Sequence, residues 1–179
     1  LILSHAVGFG DPFPEEIVRA ATLIRANTLA KGFSGVRPEI ITTLLALINN
    51  KLFPVIPSQG SLGSSGDLIP LSHLALVFTT DEKDTEHESG SAWYKGELLS
   101  GKEAMYRAGV PRIILGPKEG LALNNGATFS AATAALCVTN AYKLIKLSDI
   151  AIALSLEALV GRTNAFDARL HQVRGHAGQ

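Results

Sequence analysis

The sequence predicts a mainly α protein with a small hairpin and short strands, and two observations carry that prediction. Apolar residues recur at helical spacing after proline–acid starts at Pro14 and Pro38, and again from Leu68. From Ala127 to about Gly161, Ala, Leu, Ile and Val dominate without proline or internal glycine, and no internal repeat divides the chain.

Pro14 opens the first helix, because proline is tolerated in the first turn and Glu15 and Glu16 suit the positive end of the helix dipole. Ile17, Val18, Ala21, Ile24, Thr28 and Leu29 form its apolar stripe, and Gly32 stops it. Pro38 and Glu39 open a second helix, with Ile40, Leu44, Leu47 and Ile48 inward and an end near Asn49 and Asn50. Leu52 to Gly66 reads as loop. A third helix runs from Leu68 through Leu71, Leu74, Ala75 and Phe78, its N-terminus beside the glycine- and serine-rich end of that loop. Residues 81–92 are polar and acidic, which predicts a solvated loop. Tyr94–Glu97 reads as a hairpin, Lys102–Ala108 as a short helix and Arg112–Leu115 as a brief strand. The long apolar stretch requires burial inside a bundle or an oligomer.

The chain of 179 residues is long enough to bury a core as a single domain. Hydrophobic residues make up 46% of it and the formal net charge is zero, which excludes disorder and argues against a nucleic-acid partner. Cys137, the single cysteine, has no internal partner and predicts a reducing, cytoplasmic setting. No signal peptide is expected, since the N-terminus lacks a basic region and a small-residue cleavage site. No stretch reads as an uninterrupted membrane span, although residues 150–160 are strongly apolar, so no membrane partner is expected. Leu1 lies inside an apolar run and Met105 is the only methionine, so the chain reads as a fragment.

The chemistry concentrates in residues 60–73. Three glycines and three serines occupy Gly60 to Gly66, then Asp67 precedes the apolar helix. Gly66 has no Cβ, so its amide nitrogen can fold back on the Ser64 carbonyl carbon; ring closure with loss of water would turn Ser65 into a dehydroalanine-like electrophile. A flexible linker is the plain alternative, but Pro57 and Pro70 brace the loop and hydrophobic runs flank it. A phosphate-binding loop is another, but no lysine follows the last glycine.

Gly60 to Leu71 resembles the prosthetic-group loop of the aromatic amino acid ammonia-lyases, in which an Ala-Ser-Gly tripeptide cyclises to methylidene-imidazolone. Here the tripeptide is Ser64-Ser65-Gly66, with serine in place of the usual alanine outside the new ring. The resemblance extends along the chain. Leu3-Ser4-His5-Ala6-Val7-Gly8 is similar to a motif of histidine ammonia-lyases. Gly32 to Pro38, Lys118 to Gly126, Phe166 to His171 and Gly178-Gln179 match further family blocks. It implies a helical bundle of the ammonia-lyase and fumarase-like type, with residues 1–179 the central fragment of one mainly α catalytic domain.

The resemblance also implies the function. The parent would eliminate ammonia from L-histidine to give urocanate, as a cytoplasmic homotetramer acting on a small aromatic amino acid. Its prosthetic group would be methylidene-imidazolone formed autocatalytically from Ser64, Ser65 and Gly66, with no metal or diffusible cofactor. Asp67 would assist that maturation, or serve as a helix N-cap. Asn125 would hydrogen-bond the ring or substrate, or form an Asn-Gly turn with Gly126. His5 is the substrate-side-chain candidate. The family's catalytic tyrosines and main carboxylate-binding arginine fall outside this segment, so the fragment alone would be inactive. Phenylalanine or tyrosine ammonia-lyase and aminomutase activities are the chemical alternatives. A helical assembly module without chemistry is an alternative of another class, motivated by Ser64.

The remaining candidates have plainer readings. His73 reads as a packed, hydrogen-bonded core histidine, and His87 lies in the solvated loop. His171 and His176 lack acidic or cysteine partners at ligand spacing, which argues against a metal. Arg37 reads as a salt bridge at a helix start rather than as a substrate-carboxylate ligand. Tyr94 and Tyr106 lie outside the matching motifs.

Overall fold

A computed structural model of the chain describes residues 1–81, 83 and 87–178. It divides into two compact units, Leu1–Leu136 and Cys137–Gln179.

In the first unit, α1 (Ile2–His5) and β1 (Phe9–Pro12) lead into the paired helices α2 (Glu15–Ala30) and α3 (Pro38–Asn49). Proline stands at the start of both, as its missing N–H requires. Ile40, Leu44 and Leu47 of α3 are buried as their spacing predicts, each contributing about 2 kcal/mol of hydrophobic stabilisation. The face of α2 differs from the expected stripe. Val18, Ala21 and Leu29 are buried, but Thr28 is exposed and Thr22, Arg25 and Ala26 lie inward. The inward face is rotated, and it carries an arginine.

Residues 52–66 are not all loop. β2 (Leu52–Pro54) pairs antiparallel with β5 (Ser91–Tyr94), and β3 (Pro57–Gln59) pairs antiparallel with β1. These three-residue strands are made by distant partners, which leaves no local periodicity to read. β5 continues into β6 (Glu97–Ser100) through Lys95 and Gly96, both at positive φ, the geometry of a two-residue hairpin turn. The predicted hairpin is therefore present.

The acidic loop ends earlier than residue 92. Asp81 and Lys83 are exposed, but Ser89 and Ala92 are fully buried, and Ser91 is already in β5. Ser89 is drawn inward because its Oγ accepts the Lys102 N–H at 3.1 Å. Residues 82 and 84–86 of that expectation lie outside the described residues. α5 (Gly101–Arg107) starts where Ser100 Oγ accepts the Glu103 N–H, half of a capping box.

α4 (Leu68–Phe78) is the buried spine of the unit, apolar on nearly every side and touching α1, α5 and α6 (Glu119–Asn124). Arg112 closes its far end, donating to the carbonyls of Leu76, Val77 and Thr79, where the negative end of the helix dipole favours a cation. Beyond α4, β4 (Thr79–Thr80) pairs in parallel with β7 (Ile113–Ile114) inside the predicted brief strand.

α7 (Thr128–Ala158) gives its first turns to the first unit, with Thr128, Phe129 and Ala132 buried. From Cys137 its apolar side chains, Leu144, Ile145, Leu147 and Ile150 among them, are exposed. The expectation that no stretch approaches a membrane span needs correction. Glu119–Ala158 is long and apolar enough by length and composition, because its alanines raise the mean where residues 150–160 alone are too short. In the second unit, Asp167 caps α8 (Ala168–Arg174), its Oδ1 accepting the Arg169 N–H at 2.9 Å. Gln179 of the terminal block lies outside the described residues.

Candidate active site

The tripeptide Ser64-Ser65-Gly66 lies against the segment Asn125-Gly126, which leaves the end of α6. Two hydrogen bonds join them: the Asp67 N–H donates to the Gly126 carbonyl at 2.8 Å, and Asn125 Nδ2 donates to the Ser65 carbonyl at 3.1 Å. Between these bonds the backbones touch. A methyl group on Gly66 would stand 2.6 Å from the Gly126 nitrogen, and Gly66 has φ +124°, so no larger residue fits. Asn125 is extended, with φ −103° and ψ 118°, rather than folded into a turn, and that conformation aims its amide at the loop.

Asp67 occupies the N-cap position of α4 but does not cap it with its side chain. Its carboxylate, buried at the loop's base, caps α7 instead. Oδ2 accepts the Ser130 N–H at 2.9 Å, while Oδ1 accepts the hydroxyls of Ser130 at 3.0 Å and Ser61 at 2.8 Å. A carboxylate on helix N–H groups is favoured by their partial positive charge. One side chain thereby ties both ends of the loop to α7. Ser64 and Ser65 themselves remain exposed.

His5 ends α1, and its Nδ1 shares hydrogen bonds with Ser4 Oγ at 3.0 Å and the Leu1 carbonyl at 2.9 Å. α1 packs on α4, but none of these hydrogen bonds joins His5 to the loop. His73 is the core histidine expected: its Nε2 accepts the Gly8 N–H at 3.0 Å, and burial lowers its pKa, both of which favour the neutral ring. Among the described residues no group of three or more His, Cys, Asp or Glu is placed to hold a metal ion.

Arg37 and Glu119 join two of the sequence motifs. Glu119 is buried and accepts from Arg37 Nε at 3.0 Å, Arg37 Nη2 at 2.8 Å, and the backbone N–H groups of Arg37 and Gly116. Arg37 is thus the expected salt bridge, with a partner that sequence spacing does not reveal. The Arg37 side chain, then the backbone donors, hold the Glu119 carboxyl at a pKa of about 2, with burial opposing them. A carboxyl depressed on folding stabilises the fold above its unfolded pKa of about 4.3, and that stabilisation fades as pH falls toward the folded value. Because Arg37 is half exposed, we expect about 2 kcal/mol at neutral pH. Glu119→Gln is expected to lose that amount and to flatten the dependence of unfolding free energy on pH between about 5 and 2. Urea titrations across that range measure it; an unchanged acid limb would contradict the assignment.

The structure brings Ser65, Gly66, Asp67 and Asn125 together, and adds Ser61, Ser130 and Arg25, which the motifs do not single out. Arg25 is buried on α2, and its Nη2 donates to the Ala122 carbonyl and, at 2.7 Å, to the Asn125 carbonyl. Its position four residues before Leu29 on the inward helical face was the available signal.

Residues 1–179 match the family described as aromatic amino acid lyase. The histidine ammonia-lyase of Alkaliphilus metalliredigens is 52% identical over the whole chain, which covers 34% of that relative. The crystal structure of histidine ammonia-lyase from Trypanosoma cruzi superposes with a TM-score of 0.88 at 37% identity, over 99% of this chain and 34% of that one. A Pantoea agglomerans phenylalanine aminomutase structure gives a TM-score of 0.88 at 34% identity, over 99% of this chain and 33% of the other. The chain spans about a third of the length of the relatives it matches.

Proposed function

The chain belongs to the aromatic amino acid lyase family, and from that premise we propose that it is the loop-bearing part of an enzyme that eliminates ammonia from L-histidine to give urocanate. The observation that carries this reading is the Asn125 amide on the Ser65 carbonyl, beside a Gly66 that packing forbids to be anything else. The relatives near 50% identity, named histidine ammonia-lyase, support histidine as substrate. The phenylalanine aminomutase neighbour keeps the phenylalanine, tyrosine and aminomutase readings as the rival.

The residues present fit a methylidene-imidazolone. Its formation would join the Gly66 nitrogen to the Ser64 carbonyl carbon, whose oxygen leaves as water with the hydrogens of the Gly66 and Ser65 amides. Ser65 would then lose its hydroxyl and its α-hydrogen as a second water. The group, once formed, supplies an electrophile that none of the ordinary side chains provides. Asn125 meets charge that develops on the Ser65 carbonyl oxygen with a fixed amide N–H. Asp67 holds the loop's base against α7, so the reacting backbone is positioned before any substrate arrives. His5 is assigned to the substrate side chain, and the base for the β-proton to a residue outside this chain.

We assign the parent to the cytoplasm, where the unpaired Cys137 is at home, and to a homotetramer. The exposed apolar side chains of α7 support burial by further copies or by the rest of the chain. The test is the intact mass of the full-length parent, with product assays on L-histidine, L-phenylalanine and L-tyrosine. A deficit of about 36 Da, two waters, mapping to Ser64–Gly66 together with urocanate is the expected result. Cinnamate or coumarate without urocanate would transfer the assignment to the rival. An unmodified mass and no product would leave the assembly module.

A further inference from the structure

Among the described residues, Arg25 is a buried cation without an anion. It leaves 3% of its surface to solvent, and among the described residues none of the ion pairs includes it. Burial lowers its pKa, yet a guanidinium stays charged in proteins. Desolvating such a group costs several kcal/mol, so its partners must offset that with strong dipoles. Those partners are the carbonyls of Ala122 and Asn125 at the C-terminal end of α6, where helix carbonyls lack internal acceptor duty and the dipole is negative. Its Nη1 packs on Gly126, where a methyl group would stand 2.5 Å from it. Gly126 in turn lies against Gly66. Arg25, Gly126 and Gly66 therefore form a stack that ends at the tripeptide.

We propose that Arg25 is a positioning residue for the loss of water from Ser65, holding the Asn125 backbone so that its amide stays on the Ser65 carbonyl. This inference rests on the maturation reading above. The second dehydration breaks the Ser65 Cα–H and Cβ–O bonds; the proton passes to solvent and hydroxide leaves. Removing that α-hydrogen places negative charge on the Ser65 carbonyl oxygen, the atom to which Asn125 Nδ2 donates. A fixed donor there speeds the step, and a displaced one slows it. Ring closure at Ser64 does not use that oxygen. A defect at Arg25 therefore shows as chains that lose one water and stall.

The test follows maturation by intact mass in the full-length parent, comparing wild type with the two single Arg25 variants, Arg25→Gln and Arg25→Lys, with Asn125→Ala, and with Arg25→Gln combined with Asn125→Ala. Arg25→Gln is expected to accumulate a species lacking about 18 Da and to slow the full deficit at least about ten-fold. Lysine keeps the charge but not the fork, and is expected to recover part of that rate. The double variant is expected to be no slower than Asn125→Ala alone, because Arg25 acts through Asn125. Wild-type maturation in both single variants overturns the inference, as does a folded chain that loses no water. Loss of folded protein in both single variants also overturns it, by making Arg25 a framework residue. A wild-type parent without the deficit removes the maturation reading itself, an outcome visible before any variant is made.

Discussion

Ser65→Ala in the full-length enzyme is expected to leave a folded protein whose mass deficit falls from two waters to one at most. Alanine has no hydroxyl to eliminate, so the backbone ring can close but no alkene can form. Turnover is expected to fall by at least about a thousand-fold, because the elimination then loses the only electrophile in the reading. The side chain is exposed on its loop, and removing one hydroxyl opens no cavity. Stability should therefore stay within about 0.5 kcal/mol of wild type. Intact mass, thermal unfolding and a urocanate assay on the same preparation separate the alternatives. Wild-type turnover from a variant lacking the second water would sink the reading. The variant also provides the mass standard for the one-water species assigned to Arg25→Gln.

Legibility in the sequence followed the range of the interactions. α3 and α4 were readable because their starts and inward faces are local: Pro38 sets one start, and the apolar spacing of Leu68 to Phe78 sets the other. The hairpin at Lys95-Gly96 was readable for the same reason, since its turn residues announce themselves. β2 and β3 were not, because each is three residues long and is defined by a partner some forty to fifty positions away. Ser89 and Ala92 looked solvated from their acidic neighbours, and only pairing with β2 and α5 draws that end inward.

The site divides along the same line. Motifs point to Gly66 and Asn125, but what restricts the glycine lies elsewhere in the chain: a Cβ on Gly66 would meet the Gly126 backbone, and one on Gly126 would meet Arg25. Asp67 is offered by local sequence as a cap for the helix it precedes, beside its implied part in maturation. It caps a helix that begins sixty positions later, a choice made by tertiary packing rather than by local sequence. Arginine on a helix normally faces water, and the inward position of Arg25 reflects carbonyls that α6 leaves without partners.

Gly66→Ala is expected to have the largest structural effect of any single methyl group in this loop. The new Cβ would lie 2.6 Å from the Gly126 nitrogen and 3.3 Å from the Gly126 Cα and carbonyl carbon. These are backbone atoms held by Asp67 on one side and by Arg25 on the other, so neither segment can yield. Positive φ adds strain to the clash, and the loss should reach about 2–4 kcal/mol. Displacing the loop would carry the Gly66 nitrogen away from the Ser64 carbonyl carbon, which blocks the first water, and separate Asn125 from the Ser65 carbonyl, which blocks the second, so the mass should remain unmodified. Gly63→Ala is the control. It too has positive φ, but its methyl would meet only Ser130 Oγ at 3.5 Å and Asp67 Oδ1 at 3.9 Å, ordinary contacts. Its cost should be the left-handed penalty alone, about 1–2 kcal/mol, with maturation retained. If the two variants melted and matured alike, backbone strain rather than the Gly66–Gly126 contact would govern the loop, and the stack reaching from Arg25 to the tripeptide would lose its middle member.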